Sequence, residues 1–234
     1  MVNATSIVRM AGLIGEAGRI QMLSTLLDGN AHSASELAVA AAVSPQTASS
    51  HLSKLLSGGL IACERQGRQR LFRLKNRDIA RAIEAVGALA HGPATPPMSE
   101  IRFARTCYDH LAGVLAIALR DELVKQGALR QGKDEFALTP AGRQVFRTLD
   151  IDAGALHGLR RSFAYRCLDW TERRHHIGGA VGAALLARFF AMNWLARIRG
   201  SRALRLTQAG ERGFERTFGI RCASLRAPRQ TSAA

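Results

Sequence analysis

Two stretches in the second half of the chain gather side chains that can ligate, titrate or stack. The first holds Arg102, Arg105, Cys107, Tyr108, Asp109 and His110. The second holds Tyr165, Arg166, Cys167, Asp169, Trp170, Glu172, Arg173, Arg174, His175 and His176. Three chemistries are open. The plainest makes Cys107 and Cys167 core thiols and the histidines helix caps, since small buried cysteine is common. The second is a pocket for an organic or anionic ligand, lined by Tyr108, Trp170 and arginine. The third joins Cys107, His110, Cys167 and His176 in a metal or redox site. The Cys-x-x-His spacing at 107–110 suits a soft metal, but one such pair does not make a ligand set. Cys63 and Cys222 stand apart and read as incidental.

The elements that would position these residues are duplicated. Residues 110–119 (HLAGVLAIAL) parallel residues 176–185 (HIGGAVGAAL), 66 positions on. Residues 136–142 (FALTPAG) with Phe146 parallel residues 204–210 (LRLTQAG) with Phe214, 68 positions on. Each copy reads as a small-residue helix, a short hairpin and a Thr-capped helix. Thr139 and Thr207 are the N-caps, and Pro140 suits the first helical position. The copies run over about 107–151 and 173–220. Helix, hairpin and helix is the layout of a winged-helix half, so two such units should face each other about a pseudo-twofold axis. Tyr108 and Trp170 would then meet at one shared cavity.

A different chemistry is written into the first third. Residues 6–13 and 16–27 have helical periodicity, with Ile20, Leu23, Leu26 and Leu27 on the inner face. Asp28-Gly29-Asn30 ends the second helix. Ser35 is placed to cap a short helix, and residues 40–43 form a turn. Ser44 caps the next helix and Pro45 begins it; Gly58-Gly59 stops it. Near its start the helix carries Gln46, Thr47, Ser49, Ser50 and His51, with Lys54 one turn on. Short polar side chains of this kind reach base edges and phosphates in a major groove. Leu52, Leu55 and Leu56 take the opposite face. Residues 60–74 then read as strand, glycine turn and strand, with Arg65, Arg68 and Arg70 at the tip, where a wing touches phosphate or the minor groove.

Residues 6–91 resemble the ArsR-type winged-helix repressors. The resemblance rests on Ser35-Glu36-Leu37-Ala38, on the run from Val43 to Leu55, and on Gly59-Leu60-Ile61. It implies operator binding relieved by an inducer. It also implies a homodimer built from the first helix and the helix after the wing, here residues 78–90 with Ile79, Ile83, Val86 and Leu89 as the apolar stripe. The family's usual metal ligands are missing. Ala38 and Ala40 stand where paired cysteines would be, and Asp78 and His91 lack the partners of the other ligand set.

Composition limits the remaining choices. The net charge is +15, which makes a polyanion the first partner to consider. Residues 1–91 carry 10 Lys and Arg against 6 acids, and residues 92–234 carry 23 against 12, so the DNA-reading segment is not the more basic half. A nucleoid-type binder without an effector is therefore the alternative function. The longest apolar run, residues 177–187, is too short to span a bilayer. Four cysteines in 234 residues make no disulfide scaffold. The chain should be cytoplasmic and independent of membranes. No Gly-rich phosphate loop, nucleophile elbow or His-Glu-x-x-His is present, so no enzyme is expected. The expected fold is mainly α with short β-hairpins (α+β). The expected order is a winged helix-turn-helix DNA-binding and dimerisation domain at 1–91, a linker at 92–98, a C-terminal regulatory domain at 99–222, and a disordered tail at 223–234. The expected partners are double-stranded DNA, a second copy of the chain, and a small organic effector or a soft metal in the C-terminal domain.

Overall fold

The computed structural model describes residues 3–66, 69–90 and 97–226. They form two compact units that divide between residues 83 and 84. Residues 92–96 of the expected linker at 92–98 lie outside the described residues, and Met98 packs against the core of the second unit.

The first unit begins with α1 (Ala4–Ile14) and α2 (Ala17–Leu26), followed by a short strand, β1 (His32–Ser33). Next come α3 (Ala34–Ala40) and α4 (Pro45–Ser57), then the hairpin β2 (Ile61–Gln66) and β3 (Gln69–Leu74). The strands form one antiparallel sheet in the order β1-β3-β2. The cap of α3 is Ser33, not Ser35. Ser33 is extended and three positions before Glu36, so the two can exchange bonds. Ser33 Oγ accepts from the Glu36 amide at 3.3 Å, and the Glu36 carboxylate accepts from the Ser33 amide at 2.7 Å. Ser35 is already inside the helix. Ser44 caps α4 by accepting from the Thr47 amide at 3.1 Å, Pro45 follows it, and the left-handed Gly59 (φ +72°) turns the chain towards the wing. Met22, Leu23, Leu26, Leu37, Leu52, Leu55 and Leu74 close the core. In contrast, α1 buries no residue at all, and Ile7 and Val8 are 54% and 70% exposed. Helix α5 (Arg77–Ala90) runs across the boundary between the units, with Val86 and Leu89 exposed.

The second unit is two copies of one motif. Copy one follows a short helix α6 (Glu100–Phe103). It comprises hairpin β4 (Arg105–Cys107) and β5 (His110–Ala112), helix α7 (Val114–Lys125), hairpin β6 (Leu129–Gln131) and β7 (Phe136–Leu138), helix α8 (Pro140–Thr148) and the short α9 (Ala153–His157). Copy two is hairpin β8 (Arg166–Leu168) and β9 (His175–Ile177), helix α10 (Gly179–Ala191), hairpin β10 (Leu195–Arg197) and β11 (Leu204–Leu206), helix α11 (Gln208–Phe218) and α12 (Cys222–Arg226). Each copy thus opens with a hairpin that the repeat boundaries 107–151 and 173–220 cut through. Three-residue strands are too short to show alternation, which is why the sequence reads there as a link. Residues 222–226 are helical rather than a disordered tail; Cys222 is buried against the core, and residues 227–234 lie outside the described ones.

The copies exchange backbone bonds. The Thr106 amide donates to Arg202 O and the Leu204 amide to Ala104 O. In the mirror relation, the Arg166 amide donates to Asp134 O and the Phe136 amide to Ala164 O. Each first hairpin therefore pairs with the second hairpin of the other copy. Phe136, Phe146, Phe189, Phe214 and Phe218 fill a single core between them. Thr139 and Thr207 cap α8 and α11 through Gly142 and Gly210. At the entry to each long helix sits a left-handed glycine, Gly113 (φ +91°) and Gly179 (φ +84°).

One ion pair crosses this unit in complete burial. Arg105 Nη2 donates to Asp169 Oδ1 at 2.9 Å, and neither side chain touches solvent. Asp169 Oδ1 also accepts from the Thr171 amide and hydroxyl and from the Glu172 amide, while Oδ2 accepts from the Gly113 amide at 2.7 Å. Burial works against the charge on Asp169, but Arg105 and His176 together more than offset it and hold the carboxyl far below the usual carboxylate range. Among the described residues, no helix is long and apolar enough to cross a membrane.

Two predictions follow from this packing. A Cβ on Gly179 would lie 2.7 Å from Ser162 O, a backbone atom that cannot swing aside. Gly179→Ala should cost at least about 2 kcal/mol in denaturant unfolding, through clash and positive φ together. Asp169→Ala strands a buried guanidinium and should cost about 3–5 kcal/mol. Adding Arg105→Met should recover part of that loss, and strict additivity in the double-mutant cycle would refute the coupling.

Candidate functional site

Two constellations carry chemistry, one in each unit. In the first, the helical repeat of α4 splits its residues cleanly. Ser44, Gln46, Thr47, Ser49, Ser50, Ser53 and Lys54 are exposed, and Ala48, Leu52 and Leu55 are buried. His51 departs from the expectation. It is buried, its Nε2 lies 3.3 Å from Glu16 Oε2, and its ring fills the space beside Gly18. A 3.6-residue period puts position 51 beside Ala48 and Leu55 on the inner face, so His51 ties α4 to the start of α2 and is not available to DNA. Ser53 was not singled out by type, but it shares the exposed face with Gln46 and Ser50. The Thr47 hydroxyl is partly occupied by Ser44 Oγ at 2.9 Å.

The wing sets Arg65 directly opposite Arg70 on the paired strands. Like charges at a directly opposed pair repel, which favours a polyanion between or above them. Arg70 Nε reaches Cys63 Sγ at 3.4 Å, and its guanidinium lies 5.3 Å from the Phe72 ring centre. Cys63 therefore helps to orient a wing arginine. Arg68 lies outside the described residues.

In the second unit the duplicated hairpins bring four donors to one point. Cys107 and His110 are cross-strand partners on β4 and β5, and Cys167 and His176 are partners on β8 and β9. The two Sγ atoms are 3.8 Å apart and the two imidazole Nε2 atoms 3.1 Å apart. One donor atom from each of the four residues fits within 4.8 Å of every other, and all four residues are buried. Each histidine has a carboxylate behind it. His110 Nδ1 lies 3.3 Å from Asp109 Oδ1, and Arg161 holds the other Asp109 oxygen at 3.0 Å. His176 Nδ1 lies 3.3 Å from Asp169 Oδ2, at an angle too poor for a hydrogen bond. Burial disfavours charge on His176, but Asp169 and Cys107 together outweigh it and the group is pushed up to about 9. The Cys107 thiol, hydrogen-bonded to the Cys167 thiol and buried, is pushed well above the usual thiol range.

The aromatic pair expected to line a shared cavity is placed otherwise. Trp170 lies with its ring over the Arg105 guanidinium at 4.8 Å. Tyr108 sits in the tight β4–β5 turn with φ +59°. The aromatic ring beside the donors is Tyr165, edge-on to His110 at 6.0 Å and packed on Cys107 and Cys167. The two carboxylates were missed as a pair, although the signal was present: Asp109 follows Cys107 by two residues, and Asp169 follows Cys167 by two.

No family model matches the chain. The chain is 40% identical over 222 residues to an uncharacterized HTH-type transcriptional regulator, YdfF, of Bacillus subtilis (strain 168). The match covers 92% of this chain and 98% of that one. Among solved structures it is similar to the homodimeric winged helix-turn-helix domain of a possible ArsR-family regulator from Mycobacterium bovis. There the identity is 25%, with 41% of this chain and 88% of the other covered at a TM-score of 0.36. Reduced HlyU from Vibrio cholerae matches at 26% identity over 37% of this chain and 90% of its own, with a TM-score of 0.34. The relative spans both units, and its HTH designation agrees with a helix-turn-helix followed by a basic hairpin. The chain belongs to the HTH-type transcriptional regulators.

Proposed function

We propose that this regulator is a repressor that reads a specific duplex operator as a homodimer and loosens or tightens its hold in response to an effector sensed in the C-terminal half. The observation that carries the DNA-reading part is the exposed face of α4. It offers hydroxyls, an amide and a lysine, with no large apolar side chain and no acid to repel phosphate. Gln46 on that face has the bidentate geometry that suits adenine, and Arg65 and Arg70 suit phosphate. The repressor role rests on the ArsR-type resemblance of residues 6–91.

Dimerisation has its own support. An eleven-residue helix with no buried residue and exposed Ile7, Val8 and Met10 is unstable as a free surface element. Val86 and Leu89 on α5 are exposed in the same way. A twofold interface would cover both strips, and the two copies of α4 would then read half-sites about one helical turn apart.

Effector control has a physical route within the second unit. The Thr106 amide, next to Cys107, donates to Arg202 O, and the Arg202 side chain is paired to the buried Glu84 carboxylate on α5. Arg173 donates to Ala88 O on the same helix at 2.6 Å. A change at the duplicated hairpins would thereby move the end of α5, a helix that starts in the DNA-reading unit. A coupling of about 1–3 kcal/mol would make a useful switch.

The DNA-reading test is a salt-resolved titration on operator and random duplexes. Gln46→Ala should weaken operator binding by about 1–3 kcal/mol and leave random DNA unaffected. Arg65→Gln should weaken both alike and reduce the salt slope by about one. Equal affinity of the parent protein for operator and bulk DNA would instead identify a nucleoid-type binder. For assembly, light scattering at micromolar concentration should give twice the chain mass, and Val8→Glu should return it to one. A monomer in both cases would defeat the dimer.

A further inference from the structure

We propose that Cys107, His110, Cys167 and His176 form a closed tetrahedral site for one zinc-class divalent ion, which cross-links the two copies of the C-terminal motif. The inference stands whether or not that ion is the effector.

The geometry is that of a ligand shell. Zinc–sulfur bonds of about 2.3 Å at the tetrahedral angle place two sulfurs about 3.8 Å apart, and zinc–nitrogen bonds of about 2.0–2.1 Å place two nitrogens about 3.3 Å apart. The observed separations are 3.8 Å and 3.1 Å. The mixed edges of such a tetrahedron are about 3.6 Å, and no pair of the four atoms exceeds 4.8 Å. An ion placed among them needs only small side-chain adjustments.

The chemistry of the donors leads to the same ion. Asp109 is hydrogen-bonded to His110 Nδ1, and Asp169 lies 3.3 Å from His176 Nδ1; a negative charge on that side of each ring favours a proton there and the lone pair on Nε2, the arrangement that zinc-bound imidazoles use. With both rings so set, two lone pairs would face each other across 3.1 Å in a buried setting. That contact repels unless a proton or a metal lies between. Two thiolates and two neutral imidazoles balance a divalent ion, so the complex buries no net charge. Binding follows from M2+ plus two thiols giving the dithiolate complex and two released protons, with no change of oxidation state.

The duplication supplies the independent argument. Cys107 maps onto Cys167 and His110 onto His176 under the operation that exchanges the hairpin bonds, so the four ligands are two symmetry-related pairs around the pseudo-twofold axis. Each hairpin gives one Cys and one His from directly opposed strand positions. Neither copy can complete a tetrahedral shell alone, and with four protein ligands no position is left open for substrate. This is the pattern of a structural site rather than a catalytic one.

The test uses the full chain, purified without chelator under reducing conditions. Elemental analysis should give one zinc per chain. After exchange in a chelator, Co(II) should produce the intense visible bands of tetrahedral cobalt and a near-ultraviolet sulfur-to-cobalt band, both abolished by one equivalent of Zn(II). Thiol titration should find Cys107 and Cys167 protected with metal and reactive after its removal. Removing the ion should lower the midpoint of thermal unfolding by on the order of 10 °C, and re-adding Zn(II) should restore it. Cys107→Ser should lose about half of the sulfur-to-cobalt intensity. If that variant does not fold, the cobalt spectrum of the parent protein decides alone. A folded protein with substoichiometric zinc and no tetrahedral cobalt spectrum would overturn the site. So would mass spectrometry showing a Cys107–Cys167 disulfide in the native protein, which would mark a redox pair instead.

Discussion

The Arg105–Asp169 pair is the constraint around which the C-terminal unit is arranged. Arginine cannot shed its charge by deprotonation, so a fully buried guanidinium demands a buried anion at hydrogen-bond distance. Asp169 meets that demand from the other copy of the motif, in a loop that exists only there. The same carboxylate caps the start of α7 through the Gly113 amide, organises the turn at Thr171 and Glu172, and stands behind His176. The pair is thus less a source of net stability than a registration device. It fixes how the β8–β9 loop sits on the first hairpin, and with it the orientation of one histidine ring.

Symmetry accounts for the rest of the arrangement and for where it breaks. Equivalent positions are 60 residues apart in the first strands, 66 in the long helices and 68 in the second hairpins, so copy two has gained six residues in one turn and two in another. The turn after Cys107 is tight, with Tyr108 at positive φ and Asp109 beside His110. The turn after Cys167 is long enough for Asp169 to fold inward, leaving Trp170 to cover Arg105. Both solutions put a carboxylate behind a histidine, one exposed enough to pair with Arg161 and one sealed in the core. The donors are symmetric while their supports are not.

How much was legible from the sequence depended on the length of each element. The capped helices were readable because Ser44-Pro45, Thr139-Pro140 and Thr207 announce themselves locally, and α4 is long enough to show two faces. The cap of α3 was misplaced because two serines, Ser33 and Ser35, both precede Glu36, and only the reciprocal bond tells them apart. His51 was misread because residue type suggested base contact where helical phase placed it inside. The duplication was visible through the helices and second hairpins. Its first hairpins were not, because three-residue strands held by the other copy's backbone carry no pattern of their own. The four donors could be named together because the duplication repeats Cys107 and His110 as Cys167 and His176. Their separations could not be read, because the partners stand 60 and 66 positions away and only the folded hairpins make them neighbours.

The unequal charge of the two halves fits a division of labour. In the helix-turn-helix unit the exposed basic groups include Lys54 on α4 and the opposed Arg65 and Arg70 on the wing. In the C-terminal unit several arginines are consumed internally. Arg102 pairs with Glu172, Arg105 with Asp169, Arg161 with Asp109, Arg174 with Asp121 and Arg202 with Glu84. These five are held by acids, and for such contacts a planar multidentate donor is worth more than a flexible lysine. Part of the arginine content there is therefore structural, and net charge alone is a poor guide to which half would meet a phosphate backbone. The better guide is how each cation is placed: Lys54 lies on the exposed face of α4 and Arg65 and Arg70 oppose each other on the wing, whereas Arg102, Arg105 and Arg202 are already held by acids.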